Sequence, residues 1–232
     1  MEDPLRNGTV KFDRLGGRFH RQTLNSEVAR ANRGFALKRR GDVEVRVIYF
    51  DKKGASNTQR TLELAKERAE KLGITDVIVA STHGRTALRA AKTFEGLNVN
   101  LVAVTISEGF SKEGWTMTRE ERSMLEAKGI KVLTCTHALG DGVSASFAEE
   151  CGGISVEQVV ARTLYRFSQG MKVCVEIVLM AADAGLIGTD REVISIAGTG
   201  EGCDTAIVVK PAYPRKFQEL EIREVLAKPR HP

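Results

Sequence analysis

From residue 43 onward, apolar residues recur with two periods that take turns along the chain. Val43, Val45 and Val47 alternate with charged residues before Ile48-Tyr49-Phe50, which is the two-residue period of a strand. Thr58–Leu72 has a helical period, with Leu62, Leu64, Ala65, Ala69 and Leu72 on its inner side; Asn57 or Thr58 caps it and Gly73 stops it. Short apolar runs at Asp76–Ala80, Val99–Thr105 and Ile130–Thr134 read as strands. Between them lie helices over Gly84–Phe94 and Thr118–Lys128, the second opened by a Thr118/Glu121 capping box and ended by Gly129. The rhythm then changes, and residues 135–154, rich in glycine and serine, read as a long loop. Helices over Ser155–Phe167 and Met171–Ala184 follow, with Gly185 as the cap of the second. Strands at Glu192–Ala197 and Thr205–Val209 come next, and Phe217–Leu226 reads as a last strand or a short helix. Strands alternating with helices predict an α/β fold of three layers, α/β/α, around a mostly parallel sheet.

Composition narrows the class. The 232 residues, 42% hydrophobic and 28% charged, suffice for a sizeable core. No apolar run approaches the roughly 18 residues of a membrane helix, and the polar, basic N-terminus shows no secretory signal, so a cytoplasmic protein without a membrane partner is expected. The four cysteines form no CxxC pair and have no nearby pair of histidines, which points to free thiols and to no metal site. Charge is uneven: residues 1–40 hold ten Lys/Arg and four acids, or +6, out of a total of +5. We therefore expect a basic N-terminal extension over 1–42 and a single domain over 43–232. Such an arm could touch nucleic acid, but it lacks aromatic interleaving, and a solvated extension is the expected reading.

The chemistry concentrates in two loops. Val77–Ala80 runs through Ser81-Thr82-His83-Gly84-Arg85-Thr86 directly into a helix, and Ile194–Ala197 runs into Gly198-Thr199-Gly200-Glu201-Gly202. Helix N–H groups, hydroxyls and the positive end of the helix dipole at such a turn would cradle a phosphate. Equally, Ser81 and Thr82 could merely cap the helix while Gly84 permits the turn. His83 could donate to a phosphate or act as acid/base, or be a surface histidine. Glu176 and Asp183 sit two turns apart on an apolar helix; Glu176 could serve as a base or bind ligand, or tie down loop amides, and Asp183 reads as a cap. His137 is a weaker candidate. Cys174 reads as core, and Phe110 and Trp115 could stack on a planar ring or simply cover the sheet end.

Val77–Lys92 followed by Asn100–Thr105, together with Gly198–Val209, resembles the C-terminal α/β domain of pyruvate kinase. The likeness extends through Ile48–Phe50, Asn57-Thr58, Cys174–Glu176 and Asp204–Ala206 to a stand-alone set of prokaryotic proteins with that domain, covering about residues 45–230. It implies that the strands leading to the two loops lie side by side at a switch point. It also implies that the loops bind the phosphates of a ligand such as fructose 1,6-bisphosphate. Carried over, that places Ser81, Thr82, Gly84 and Thr86 at one phosphate, with Gly198, Thr199, Gly200 and Gly202 closing over the ligand; His83, Asn57, Thr58 and Thr105 complete the expected cofactor-binding set. Pyruvate kinase chemistry needs a separate barrel, so that activity is not expected. With few basic side chains near the loops, flavin mononucleotide (FMN) is the preferred cofactor. A sugar phosphate is the alternative, bound or turned over on the same loop, and a flavin-dependent oxidoreductase is a further one. A homo-oligomer is also expected.

Overall fold

The computed structural model describes residues 44–231, so the basic extension read over 1–42 lies outside the described residues. Seven strands form one sheet: β1 (Ile48–Phe50), β2 (Asp76–Ala80), β3 (Asn100–Val104), β4 (Lys131–Leu133), β5 (Val193–Ala197), β6 (Thr205–Lys210) and β7 (Glu221–Pro229). Their order is β1-β7-β6-β5-β2-β3-β4. The helices are α1 (Thr58–Leu72), α2 (Arg85–Thr93), α3 (Arg119–Glu126), α4 (Val143–Cys151), α5 (Val156–Leu164) and α6 (Gln169–Asp183).

Alternation within strands sorts the core into two faces. Val77, Val79, Leu101, Ala103, Ile194 and Ile196 pack with the α1–α3 side, while Ile78, Val102, Val104, Val193 and Ile207 pack against α6. The expected three-layer α/β/α fold is therefore present. β1–β7, β2–β5, β2–β3 and β3–β4 pair parallel, and only β6 runs the other way. The link from β5 to β6 is too short for a crossover and makes a hairpin; the chain turns again at the 3-10 segment Pro214–Glu219, which restores the parallel direction in β7. Six strands thus deliver their carboxyl ends to one edge.

Differences from the sequence reading have local causes. The first strand begins at Ile48, because Glu44–Val47 lie beyond its three-residue ladder with β7. Residues 135–154 are not all loop: α4 occupies Val143–Cys151, a helix that buries only Ala145 and has no side-chain N-cap, so it leaves little periodic signal. Phe217–Leu226 splits between the 3-10 turn and β7. The Thr118/Glu121 box and the left-handed Gly73 are as expected.

α6 is held to the sheet by polar contacts inside an apolar layer. Ser195 Oγ donates to the Cys174 carbonyl (2.8 Å), and Ser168 caps the helix by accepting the Met171 N–H (2.9 Å). At its first turn Gly170 lies so close to Thr205 that a Cβ would collide with the Thr205 side chain. Gly170→Ala should therefore lift the helix end and cost about 1–3 kcal/mol, read as a lower urea midpoint with an unchanged slope.

Candidate functional site

The centre of the carboxyl edge is built from the turns that follow β2 and β5, which are neighbours in the sheet. At the first turn, Ser81 donates its N–H to the Val104 carbonyl (2.9 Å), and its Oγ accepts the Ala87 N–H (3.2 Å). The buried Ser81 hydroxyl is thus occupied as a helix cap. Gly84 has φ +80°, and a Cβ there would press on the Leu125 side chain at 3.2 Å. The amides of Arg85 and Thr86, the first of α2, have no acceptor among the described residues, as the start of a helix requires.

The second turn is shaped by a buried carboxylate. Asp204 Oδ2 accepts the N–H groups of Gly54 (2.7 Å) and Thr199 (3.3 Å), and Oδ1 accepts the Thr205 hydroxyl (2.9 Å). Thr58 Oγ1 donates to the Ala55 carbonyl (2.8 Å) and accepts the Cys203 N–H (3.1 Å), so it fastens α1 to the loop. Gly198 has no room for a Cβ, which would come within 2.7 Å of Cys203 Cα. The amides of Gly200, Glu201 and Gly202 find no acceptor among the described residues. Arg85 Nη2 reaches Glu201 Oε1 at 2.9 Å and joins the two turns; both side chains are about three-quarters exposed, so the pair marks proximity more than it adds stability.

The remaining sequence candidates scatter. Thr82 is exposed and Thr86 buried. His83 Nδ1 lies 3.2 Å from Glu121 Oε2, which also accepts the Thr118 N–H (2.9 Å), so the imidazole turns toward α3. The Asn57 side chain caps nothing and donates to the Lys52 carbonyl (2.7 Å). Thr105 lies one strand further over, with its hydroxyl 2.6 Å from that of Thr134. Glu176 is buried; Oε1 accepts the Leu139 N–H (2.9 Å) and Oε2 accepts from Lys172 Nζ (2.5 Å). This carboxylate ties down a loop amide, and its lysine partner was not singled out in the sequence. Asp183 is exposed.

Two clefts open at the edge, and neither is lined by Ser81–Thr86. One, of about 310 Å³, has Lys53, Tyr165, Arg166, Ser168, Gln169 and Thr199 among its walls. Thr199 is the only predicted site residue there. The other, of about 540 Å³, lies beyond β3 and β4, with Ser107, Phe110, Thr134, Cys135 and Asp141 among its walls. Asp141 Oδ2 sits 2.7 Å from His137 Nδ1 and accepts the Ser107 hydroxyl at 2.9 Å. Phe110 stacks on Trp115 with 5.8 Å between ring centres. The signal for this cleft was topological: β3 leaves toward α3 on one face, and the chain after β4 reaches the other through α5 and α6.

No helix among the described residues is long and apolar enough to cross a membrane, and no three His, Cys, Asp or Glu side chains among them gather to hold a metal. All four cysteines are free thiols. Burial pushes the Cys174 thiol far up and Cys203 up to about 12, so neither is a nucleophile at neutral pH.

A mixed sheet with one reversed strand, covered on both faces and carrying its turns at one edge, defines the α/β class. The chain belongs to the family of the pyruvate kinase alpha/beta domain, whose model matches residues 59–209. Among solved structures it is similar to a pyruvate kinase of Cryptosporidium parvum, at 16% identity over 69% of this chain and 24% of that one, with a TM-score of 0.36. It is also similar to the Cryptosporidium parvum enzyme in complex with ADP, at 15% identity over 77% of this chain and 25% of the other, with a TM-score of 0.35. The chain spans about a quarter of the length of those enzymes.

Two outcomes follow from the local chemistry. A thiol reagent at pH 8 should label exposed Cys151 fast and Cys174 and Cys203 only after unfolding; rapid labelling of either buried thiol would contradict the packing. For Glu121, burial pushes the carboxyl up, but the Thr118 amide and His83 together hold it below its usual value. Its contribution is therefore present above the ordinary glutamate pKa of about 4.3 and is lost as pH falls through the lower folded value. Glu121→Gln should flatten that part of a urea-midpoint profile between about pH 3 and 7.

Proposed function

We propose that the chain binds a phosphorylated small molecule at the carboxyl edge, with the phosphate between the turns after β2 and β5, and without pyruvate kinase activity. One observation carries the reading: the free amides of Arg85 and Thr86 and those of Gly200–Gly202 belong to neighbouring turns that the Arg85–Glu201 contact spans. N–H groups and the α2 dipole would hold the phosphate. At the turns themselves Arg85 is matched by Glu201, and His83 faces Glu121. That balance suits one phosphate, and FMN is the form we favour, its ring beside Tyr165 in the cleft that Thr199 shares. Ser81, Thr58 and Asp204 would act by holding the turns in shape, not by touching the ligand. Free thiols accord with a cytoplasmic setting.

A second reading has its own support. Lys53 and Arg166 line the cleft beside Thr199 and would receive a second anionic group, which favours a sugar bisphosphate. In this cleft the Ser168 hydroxyl is engaged with the Met171 N–H and the Thr205 hydroxyl and not with a base, so the reading is one of binding before turnover.

The test is the visible absorption spectrum of the purified protein, followed by the mass of any small molecule released on denaturation. A flavin band and a mononucleotide mass are expected. Arg85→Glu, which places a negative charge at the phosphate, should weaken FMN binding about tenfold or more. A protein that neither carries nor takes up FMN, yet binds fructose 1,6-bisphosphate by calorimetry, would establish the second reading instead.

A further inference from the structure

The turn after β5 offers its backbone to an anion and yet carries a carboxylate of its own. Glu201 stands between Gly200 (φ +69°) and Gly202 (φ +71°), in the stretch whose amides find no acceptor among the described residues. Its Oε1 lies 2.9 Å from Nη2 of Arg85, the first residue of α2. Neither side chain has another partner among the described residues. A negative side chain in such a turn opposes any anionic ligand, and here it also engages the guanidinium that joins the turn to the free amides of α2. The fold does not depend on the pair. Both side chains are about three-quarters exposed, and the turn is already fastened by Asp204 to the Thr199 amide and by Thr58 to the Cys203 amide.

We infer that Glu201 is an internal competitor for the phosphate: its carboxylate holds Arg85 until a phosphorylated ligand takes the guanidinium from it. Glu201 is thus the residue that sets how tightly the two turns hold an anion, an inference that rests on the phosphate reading of the same turns. The exchange is chemically favourable. A phosphate monoester carries about −1.5 to −2 charges at neutral pH and three acceptor oxygens, against one charge and two oxygens on the carboxylate. It can therefore accept from Arg85 and from the backbone amides together, which the carboxylate of a single side chain does not. An ion pair this exposed costs little to open. Opening it needs only the rotation of two side chains, because Ser81 caps α2 and Thr58 and Asp204 fix the backbone of the other turn. The displaced carboxylate then lies in water.

Calorimetry of the full chain with FMN, fructose 1,6-bisphosphate and inorganic phosphate tests it. Glu201→Gln should tighten whichever of these the native chain binds by about fivefold, with the ligand-free thermal midpoint unchanged. In an Arg85→Gln background the same substitution should gain less than about twofold, because the contested group is gone. Complete loss of binding in Arg85→Gln supports the inference equally, since it makes Arg85 the group that the ligand needs. An equal gain in both backgrounds would mean plain repulsion and would overturn the inference, as would a Glu201→Gln chain that binds no tighter than the native one. In those two cases the phosphate reading stands. If neither the native chain nor Glu201→Gln binds any of the three anions, the phosphate reading fails and the inference falls with it.

Discussion

Burying the carboxylate of Asp204 is tolerable because donors from separate segments converge on it: the Gly54 amide ahead of α1, the Thr199 amide of the hairpin and the hydroxyl of Thr205 at the start of β6. The first turn of α6 is packed against the same point, where Gly170 leaves no space for a side chain beside Asp204 and Thr205. One side chain therefore fixes where α1 begins, how the hairpin folds back and how closely α6 approaches. Thr58 repeats the device a few residues away by accepting the Cys203 amide. The glycines of the hairpin are needed because these fastenings pull backbone against backbone. A Cβ at Gly202 would strike Thr58 and Ala55, and one at Gly198 would strike the backbone of Gly202 and Cys203 just ahead of β6.

This division of labour separates holding from binding. The hydroxyls that look best suited to phosphate in the sequence, Ser81 and Thr58, satisfy backbone groups of their own fold. What stays available at the turns is the backbone itself, at the start of α2 and across Gly200–Gly202. Glu176 behaves in the same way at the other side of the sheet: its two oxygens are used by Leu139 and Lys172, and the pair anchors the segment that borders the larger cleft. An ion pair in such a position contributes little net stability compared with apolar residues of the same shape, but losing one partner would leave a buried charge.

The layers and most strand and helix positions were legible because they follow from local periods: Val77-Ile78-Val79 facing both layers, Thr118 with Glu121, and Gly73 after Leu72. The adjacency of β2 and β5, implied by the resemblance to pyruvate kinase, is also present. What could not be read were features set by partners distant in sequence. Nothing near Glu176 announces Leu139 as its partner, and nothing near Asp204 announces the Gly54 amide. α4 escaped notice because a helix that packs on almost nothing has no buried stripe to print in its sequence. The cleft beyond β3 and β4 depends on which face each connection takes, and that is a property of topology.

The reversal of β6 has a mechanical consequence. Because β6 turns back and β7 turns forward again, the first and last strands of the sheet end up side by side and parallel, with Ile48 opposite Ala227 and Phe50 opposite Pro229. A tether on the segment before β1 and another on the segment after β7 would then pull along the strand axis in opposite directions. The short β1–β7 ladder would be loaded in shear, its hydrogen bonds straining together rather than unzipping one by one. Stretched between its two ends, this sheet resists first at its outermost seam.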